Sequence, residues 1–116
     1  MLFDFQIKEE KDFILIKLKG ELIDKNQANP LIEKTDEYLQ SNTCNFLIDM
    51  GELKYMNSSG LNTIIQILTK ARNNNGDAVL FNLNKKINEL ILITKLHSIF
   101  KIAQTHNEAV KLLKAK

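Results

Sequence analysis

The chain contains little of what marks several functional classes. Of its 116 residues, four are glycine, one is cysteine and none is tryptophan. The four separated glycines form no glycine-rich loop for holding phosphates, and no G-x-x-x-x-G-K-[ST] motif occurs. The single cysteine, Cys44, has no second cysteine with which to form an internal disulfide. The composition therefore predicts neither a P-loop nucleotide site nor a disulfide scaffold, and it is typical of a reducing cytoplasm.

Strong charge of one sign and long apolar runs are also missing. The formal net charge is +2, and lysine and arginine are spread along the chain apart from a weak cluster in the last six residues. That is not the pattern of a nucleic-acid-binding domain. The apolar runs are too short to span a bilayer, and the N-terminal MLFDFQIKEE has acids where a signal peptide needs a basic segment. We expect a cytoplasmic protein without membrane insertion or direct nucleic-acid binding.

No group of residues in the sequence has the spacing of a catalytic or metal site. His97 and His106 fall in different predicted elements, without an Asp, Glu or Cys cluster at metal-ligand spacing. Asp49 and Glu52 flank the end of a predicted strand, where solvated loop acids are a simpler interpretation than an acid–base pair. A small enzyme with a flavodoxin-like fold would need converging catalytic groups or a cofactor loop, and we find neither. We expect no catalytic residue, no metal, no cofactor and no enzymatic activity.

The hydrophobic pattern alternates between the periods of strands and helices. Apolar and polar residues alternate over residues 3–8, and a short polar break separates them from FILIKLK, which predicts an antiparallel pair of strands. Helical spacing follows over residues 29–40, with Asn29 as the expected N-cap and Pro30 as the first helical residue. Further strands are expected over residues 45–50, 78–83 and 100–102, and further helices from 61, over 85–94 and from about 107.

This alternation predicts a single α/β domain over residues 1–116. Because successive parallel strands are joined by right-handed crossovers, we expect a mixed, mostly parallel sheet of about five strands with about four helices. In such sheets, partners bind at the loops that follow the carboxyl ends of the strands. Two loops qualify best, namely GELIDKN after the second strand and GELKYMNSSGL after the third.

The end of the second loop, NSSGL, carries the most informative chemistry. Asn57, Ser58 or Ser59 can cap the helix that follows, because a short side-chain oxygen accepts the free amide protons there. The same helix N-terminus favours an added negative charge, such as the phosphate of a modified serine. On residues 57–60 alone, a plain helix cap is nevertheless the simpler interpretation.

The neighbours of these serines suggest a contact surface. Gly60 has no side chain and is expected to let the backbone of another molecule approach closely. Met56 and Leu61 are expected to flank the polar tip with apolar surface. A phosphate on Ser58 would bring about −1.5 to −2 charges into that contact, which is a large perturbation for a docked partner.

The segment FLIDMGELKYMNSSGLNTIIQILTKARNNNGDAVLFNL, residues 46–83, resembles the central part of STAS domains, specifically of bacterial anti-sigma factor antagonists. That family has a buried strand, an Asp-Ser-Ser-Gly-Leu-like loop, a helix and a strand preceded by glycine. LKGEL at residues 18–22 resembles the family's signature after the second strand. KLHSIFKIAQTHNEAV, residues 95–110, resembles the family's ending, so the similarity covers nearly the whole chain.

The resemblance implies a phosphorylation switch. Ser58, the first serine of the pair, corresponds to the family's phosphoacceptor. The unphosphorylated antagonist would bind an anti-sigma factor that is also a serine kinase, and a sigma factor would be released. Phosphorylation would end that binding, and a serine phosphatase would restore it. The residues expected at the partner-binding surface are Glu21, Leu22, Asp24, Met56, Asn57, Ser59, Gly60 and Leu61.

Two positions depart from the family pattern. Asn57 stands where the family usually has Asp, which keeps a capping oxygen but removes the charge. The loop GELIDKNQ holds one residue more than the common Gly-x-Leu-Asp form, with Ile23 as the insertion and Asp24 in the acidic position. Asn57 leaves an alternative open, namely an unphosphorylated STAS subunit that docks permanently onto a lipid-transport ATPase complex or a stress-signalling scaffold. The two differ in whether a cognate kinase phosphorylates Ser58 and thereby weakens binding.

Overall fold

The structure, a computed structural model, describes residues 2–114. Five strands form one sheet in the order β1-β2-β3-β4-β5, in which β1 is antiparallel to β2 and the other neighbours are parallel. The predicted fold class, a mixed and mostly parallel α/β sheet with four α-helices, is confirmed. The strands are β1 Asp4–Glu9, β2 Ile14–Leu22, β3 Asn45–Met56, β4 Asp77–Phe81 and β5 Lys101–Ala103, and the α-helices are α1 Asn29–Gln40, α2 Ser58–Asn73, α3 Lys85–Ile93 and α4 His106–Lys114.

The sheet is covered on both faces. Residues of α1, α2 and α3 pack with Ile16, Ile48 and Leu80 on one face, as expected when successive crossovers have the same hand. On the other face, α4 packs against Leu47 and Val79. The first half of β3 and most of β4 are therefore covered on both faces, which explains the apolar runs at residues 46–48 and 78–81. Within residues 2–114, no helix combines the length and the apolar character needed to cross a bilayer.

Strand β3 is twice as long as its sequence predicts. The segment GELKYM, expected to be a loop, continues β3 to Met56 and stays paired with β2. Lys17 and Lys19, two residues apart, pair with Asp49 and Glu52, which are three apart, so β3 carries an extra residue there. A second irregularity follows before Tyr55. These bulges place buried residues of β3 three positions apart, which hides the two-residue period of a strand.

The predicted start of α1 is also wrong. Asn29 is the first residue of α1 rather than its N-cap, and Pro30 is the second. A 3-10 turn, Lys25–Ala28, precedes α1, and Asp24 caps that turn. The correction matters for function because Asp24 lies in one of the two candidate loops.

Asp77, at the start of β4, joins three elements near the amino ends of the parallel strands. Its carboxylate accepts hydrogen bonds from Arg72 Nε of α2 at 3.1 Å and from the Ala78 amide at 2.8 Å, and it pairs with Lys101 Nζ of β5 at 3.0 Å. Burial would raise the pKa of this carboxyl, but the bonds from Lys101, Ala78 and Arg72 outweigh it and hold the pKa below its usual value.

We expect Asp77→Asn to lower the free energy of unfolding at pH 7 by about 1–2 kcal/mol, since charge-assisted bonds are lost. The depressed pKa means that the folded state binds fewer protons than the unfolded state around pH 4. The carboxylate's contribution is thus complete above the unfolded pKa of about 3.9 and is lost as the pH falls through the lower folded value. In urea denaturation, the difference in the free energy of unfolding between wild type and Asp77→Asn should not change with pH near pH 6 and should be smaller near pH 3.

A matched control is Asp36→Asn, which removes a more exposed pair with Lys70. Surface ion pairs contribute little, so this variant should lose less than about 1 kcal/mol. If the free energies of unfolding of wild type and Asp77→Asn differed equally at pH 3 and pH 6, the stabilisation could not come from the charge of the Asp77 carboxylate.

Candidate functional site

The two candidate loops meet because β2 and β3 are parallel neighbours that end together. Leu22 and Met56 are the last paired residues, and the Asn57 amide donates a 3.4 Å hydrogen bond to the Leu22 carbonyl. Residues 23–24, which follow β2, therefore lie beside the N-terminus of α2, which follows β3. This carboxyl edge of the sheet is the place that the sequence predicted for a partner surface.

Asn57 connects the two loops through its side-chain amide. Its Oδ1 accepts a 3.1 Å hydrogen bond from the Gly60 amide and caps α2, while its Nδ2 donates a 3.0 Å bond to the Ile23 carbonyl. The orientation of the amide follows from its partners, because a backbone N–H can only donate and a carbonyl can only accept. An aspartate could form the cap but could not donate to Ile23. The hydrogen bond to Ile23 therefore explains why this chain has asparagine rather than aspartate at position 57.

Ser58 is the first residue of α2 and its side chain is exposed, whereas Ser59 is half-buried. The Ser58 hydroxyl therefore lies at the positive end of a 16-residue helix. No acidic residue occupies the first turn of α2. An anion added to Ser58 would meet free amide groups rather than a like charge on its own helix.

Gly60 is required by the chain's own packing. A Cβ at this position would overlap the carbonyl oxygen of Leu22 and crowd the side chains of Leu22 and Met56. Gly60 is buried. The expectation that Gly60 admits the backbone of another molecule is therefore wrong, because the backbone of Leu22 already occupies that space.

The expected apolar rim is also absent at the predicted positions. Leu22, Met56 and Leu61 are 0%, 1% and 3% exposed, so their side chains belong to the core beneath the loops and not to the surface. The exposed apolar side chains near this edge include Ile23, Tyr55 and Ile93, the last of which lines a groove with Tyr55 and Met56, and none of the three was among the predicted contacts. No local signal in the sequence identified Tyr55, because GELKYM was expected to be a loop and the alternation of a strand is interrupted there.

The remaining predicted contacts belong to β2 and the turn that follows it. Glu21 is half-buried in β2, in register with Tyr55 of β3. Asp24 is exposed, and its carboxylate accepts a 2.9 Å bond from the Asn26 amide. Gln27 Oε1 accepts from the Asp24 amide at 3.1 Å and completes a capping box. Partner contact by Glu21, Asp24, Asn57 and Ser59 stays a prediction.

The other polar residues considered in the sequence do not join this site. Glu52 lies within β3 rather than at its end, and its carboxylate pairs with Lys17 Nζ at 2.8 Å. The hydrogen bond and the charge of Lys17 lower the pKa of Glu52, and the same contact raises the pKa of Lys17. His97 and His106 are both exposed, and His106 packs edge-on against the ring of Phe81. In the described part of the chain, no three His, Cys, Asp or Glu side chains are grouped as metal ligands.

Comparison with known proteins agrees with this architecture. A family model of the STAS domain matches residues 4–109. The anti-sigma-B factor antagonist of Listeria monocytogenes is 31% identical over 109 residues, which cover 93% of this chain and 95% of the relative. The solved structure of the anti-sigma factor antagonist SpoIIAA in its unphosphorylated form has a TM-score of 0.74 at 18% identity, covering 97% of this chain and all of SpoIIAA. An anti-sigma factor antagonist from Mycobacterium paratuberculosis has a TM-score of 0.79 at 15% identity, covering 97% and 94% of the two chains.

The chain belongs to the STAS domain family and, within it, to the anti-sigma factor antagonists. The resemblance noted in the sequence is thereby confirmed.

The role of the Asn57 amide can be tested by comparing Asn57→Ala with Asn57→Asp. The alanine removes both bonds and should lower the free energy of unfolding by about 1–2 kcal/mol. The aspartate keeps the cap of α2 but places a second acceptor against the Ile23 carbonyl. It should therefore break only the bond to Ile23 and loosen residues 23–24. In native-state amide hydrogen exchange, Asn57→Ala should accelerate exchange at both residues 23–24 and Gly60, and Asn57→Asp at residues 23–24 alone.

Unchanged exchange at residues 23–24 in Asn57→Asp would contradict the proposed connection between the loops. Wild type under the same buffer conditions provides the baseline, and the amides of β4, which pair with β3, serve as an internal reference.

Proposed function

We propose that this chain is an antagonist that binds an anti-sigma factor when Ser58 is unphosphorylated and releases it when Ser58 is phosphorylated. The observation that supports this proposal is the placement of Ser58, exposed at the N-terminus of α2 and at the edge where the β2 and β3 loops meet. Binding of the anti-sigma factor frees its sigma factor. The chain acts through this contact and carries out no chemistry of its own.

The switch requires that the phosphate be tolerated by the antagonist itself. An anti-sigma factor that is also a serine kinase transfers the γ-phosphoryl group of ATP to the Ser58 oxygen, releasing ADP and the hydroxyl proton. The helix N-terminus stabilises the new charge, and the exposed position of Ser58 means that no core packing is disturbed. A serine phosphatase restores the hydroxyl by hydrolysis and releases inorganic phosphate.

The same charge opposes binding. Contact with a partner would desolvate the phosphate and place it beside the exposed apolar side chains at this edge. A buried charge without a matched partner costs several kcal/mol, whereas the neutral hydroxyl needs only one hydrogen bond. Phosphorylation therefore disfavours the complex far more than it perturbs the free antagonist.

The structure bears on the alternative of a permanently docked, unphosphorylated subunit. That alternative was motivated by Asn57 in place of the family's Asp. The side-chain amide of Asn57 donates a hydrogen bond to the Ile23 carbonyl, which the carboxylate of an aspartate could not do. The asparagine at position 57 is thus explained by a bond within the chain, and it need not mean that Ser58 is never phosphorylated. This favours the switch over the permanently docked subunit.

Intact-mass analysis tests the modification. After incubation with ATP and each serine-kinase anti-sigma factor of the source organism, we expect the gain of one phosphate, mapped by peptide analysis to Ser58. Ser58→Ala should gain none, while Ser59→Ala, the matched control one residue away, should still be modified. Modification that persists in Ser58→Ala, or none on wild type while a known antagonist is modified, would refute the assignment.

Binding measurements test the effect of the charge. We expect Ser58→Ala to bind the anti-sigma factor like unphosphorylated wild type, whether or not ATP is present. Ser58→Asp should bind at least about tenfold more weakly, which corresponds to about 1.4 kcal/mol. Its melting temperature should remain near that of wild type, because an acid is well accommodated at this helix position. Equal affinity of both variants and wild type would exclude the switch.

A further inference from the structure

Ile23 is an exposed aliphatic residue at the edge of the sheet that carries Ser58. The residue is 43% exposed and lies directly after β2, beside the start of α2. The three apolar side chains that the sequence placed at this contact are buried in the core. Ile23 is therefore an apolar group of the edge that a partner could cover.

The backbone of Ile23 is held on both sides. Its amide donates a 2.9 Å hydrogen bond to Gln27 Oε1, and its carbonyl accepts the 3.0 Å bond from Asn57 Nδ2. Gln27 belongs to the capped turn before α1, and Asn57 caps α2. An exposed loop residue usually leaves these backbone groups to water, whereas here two neighbouring elements fix them.

A fixed backbone prepares the side chain for binding. A loop whose backbone is already ordered loses less conformational freedom when a partner covers its side chain, so more of the burial energy appears as affinity. A few central residues carry most of the energy of a binding contact, and an aliphatic or aromatic side chain that fills a pocket of the partner can be one of them. The position of Ile23 beside Ser58 would also make that contact sensitive to a charge on the serine.

Resting on the proposed function, we propose that Ile23 is the apolar anchor by which the anti-sigma factor recognises this antagonist. The partner presents an apolar pocket for Ile23 next to the surface that meets the Ser58 hydroxyl. Phosphate on Ser58 then adds a charge at the margin of that pocket.

The experiment compares Ile23→Ala with Ile99→Ala in the full chain. Ile99 is a close match, because it is 38% exposed and its carbonyl also accepts a side-chain hydrogen bond, from Arg72 Nη2. It precedes β5, at the far edge of the sheet from β2 and at the amino ends of the parallel strands. The probe is the purified anti-sigma factor that binds unphosphorylated wild type, and calorimetry measures the dissociation constant.

We expect Ile23→Ala to weaken binding about 10- to 100-fold and Ile99→Ala to change it less than about threefold. Ile23→Val, which keeps part of the apolar contact, should lie between wild type and Ile23→Ala. All three variants keep the backbone bonds of residue 23, so their melting temperatures should stay close to that of wild type. A graded loss confined to position 23 would support an apolar pocket.

The outcomes separate this inference from the function on which it rests. If Ile23→Ala binds the anti-sigma factor as well as wild type does, Ile23 is not the anchor, but the proposed antagonist function is unaffected. Equal losses for Ile23→Ala and Ile99→Ala would also overturn it, because the effect would not be local. If wild type binds none of the organism's anti-sigma factors, the proposed function fails and the inference fails with it.

Discussion

The close approach of the Leu22 carbonyl to the first turn of α2 is the contact on which the site depends. This approach is possible only because Gly60 has no side chain. The backbone amide of Asn57 donates a hydrogen bond to the same carbonyl. This contact places the first turn of α2 against the end of β2, where pairing with β3 has already brought the two strand ends together. The cap by Asn57, the exposure of Ser58 and the position of Ile23 all follow from it, so a substitution at Gly60 would disturb the whole edge.

The site separates a buried support from an exposed surface. Leu22, Met56 and Leu61 complete the core beneath the loops, and their burial gives the edge a rigid base. Above them, polar side chains form hydrogen bonds with the backbone of the loops, and Ser58 and Ile23 are exposed to solvent. A phosphate on Ser58 can therefore change what a partner meets without changing how the chain folds, which is the property that a reversible switch requires.

Most of the fold could be predicted from local patterns. The order of strands and helices, the antiparallel first pair and the burial of the central strands all follow from apolar periodicity. The length of β3 could not be predicted, because two bulges remove the alternation that identifies a strand. The N-cap at Asn29 was wrong because Asp24 caps an earlier turn, and a cap is recognised only by the bonds that it makes.

The sequence by itself determined the family, the order of the elements and the position of Ser58 at the start of a helix. These properties are carried by contiguous motifs and short periods, which need no knowledge of distant residues. Only the tertiary structure decided which side chains of the site reach solvent and what Asn57 binds. Burial depends on neighbours from other elements, and the bond from Asn57 to Ile23 joins residues 34 positions apart, so neither can be determined from local sequence.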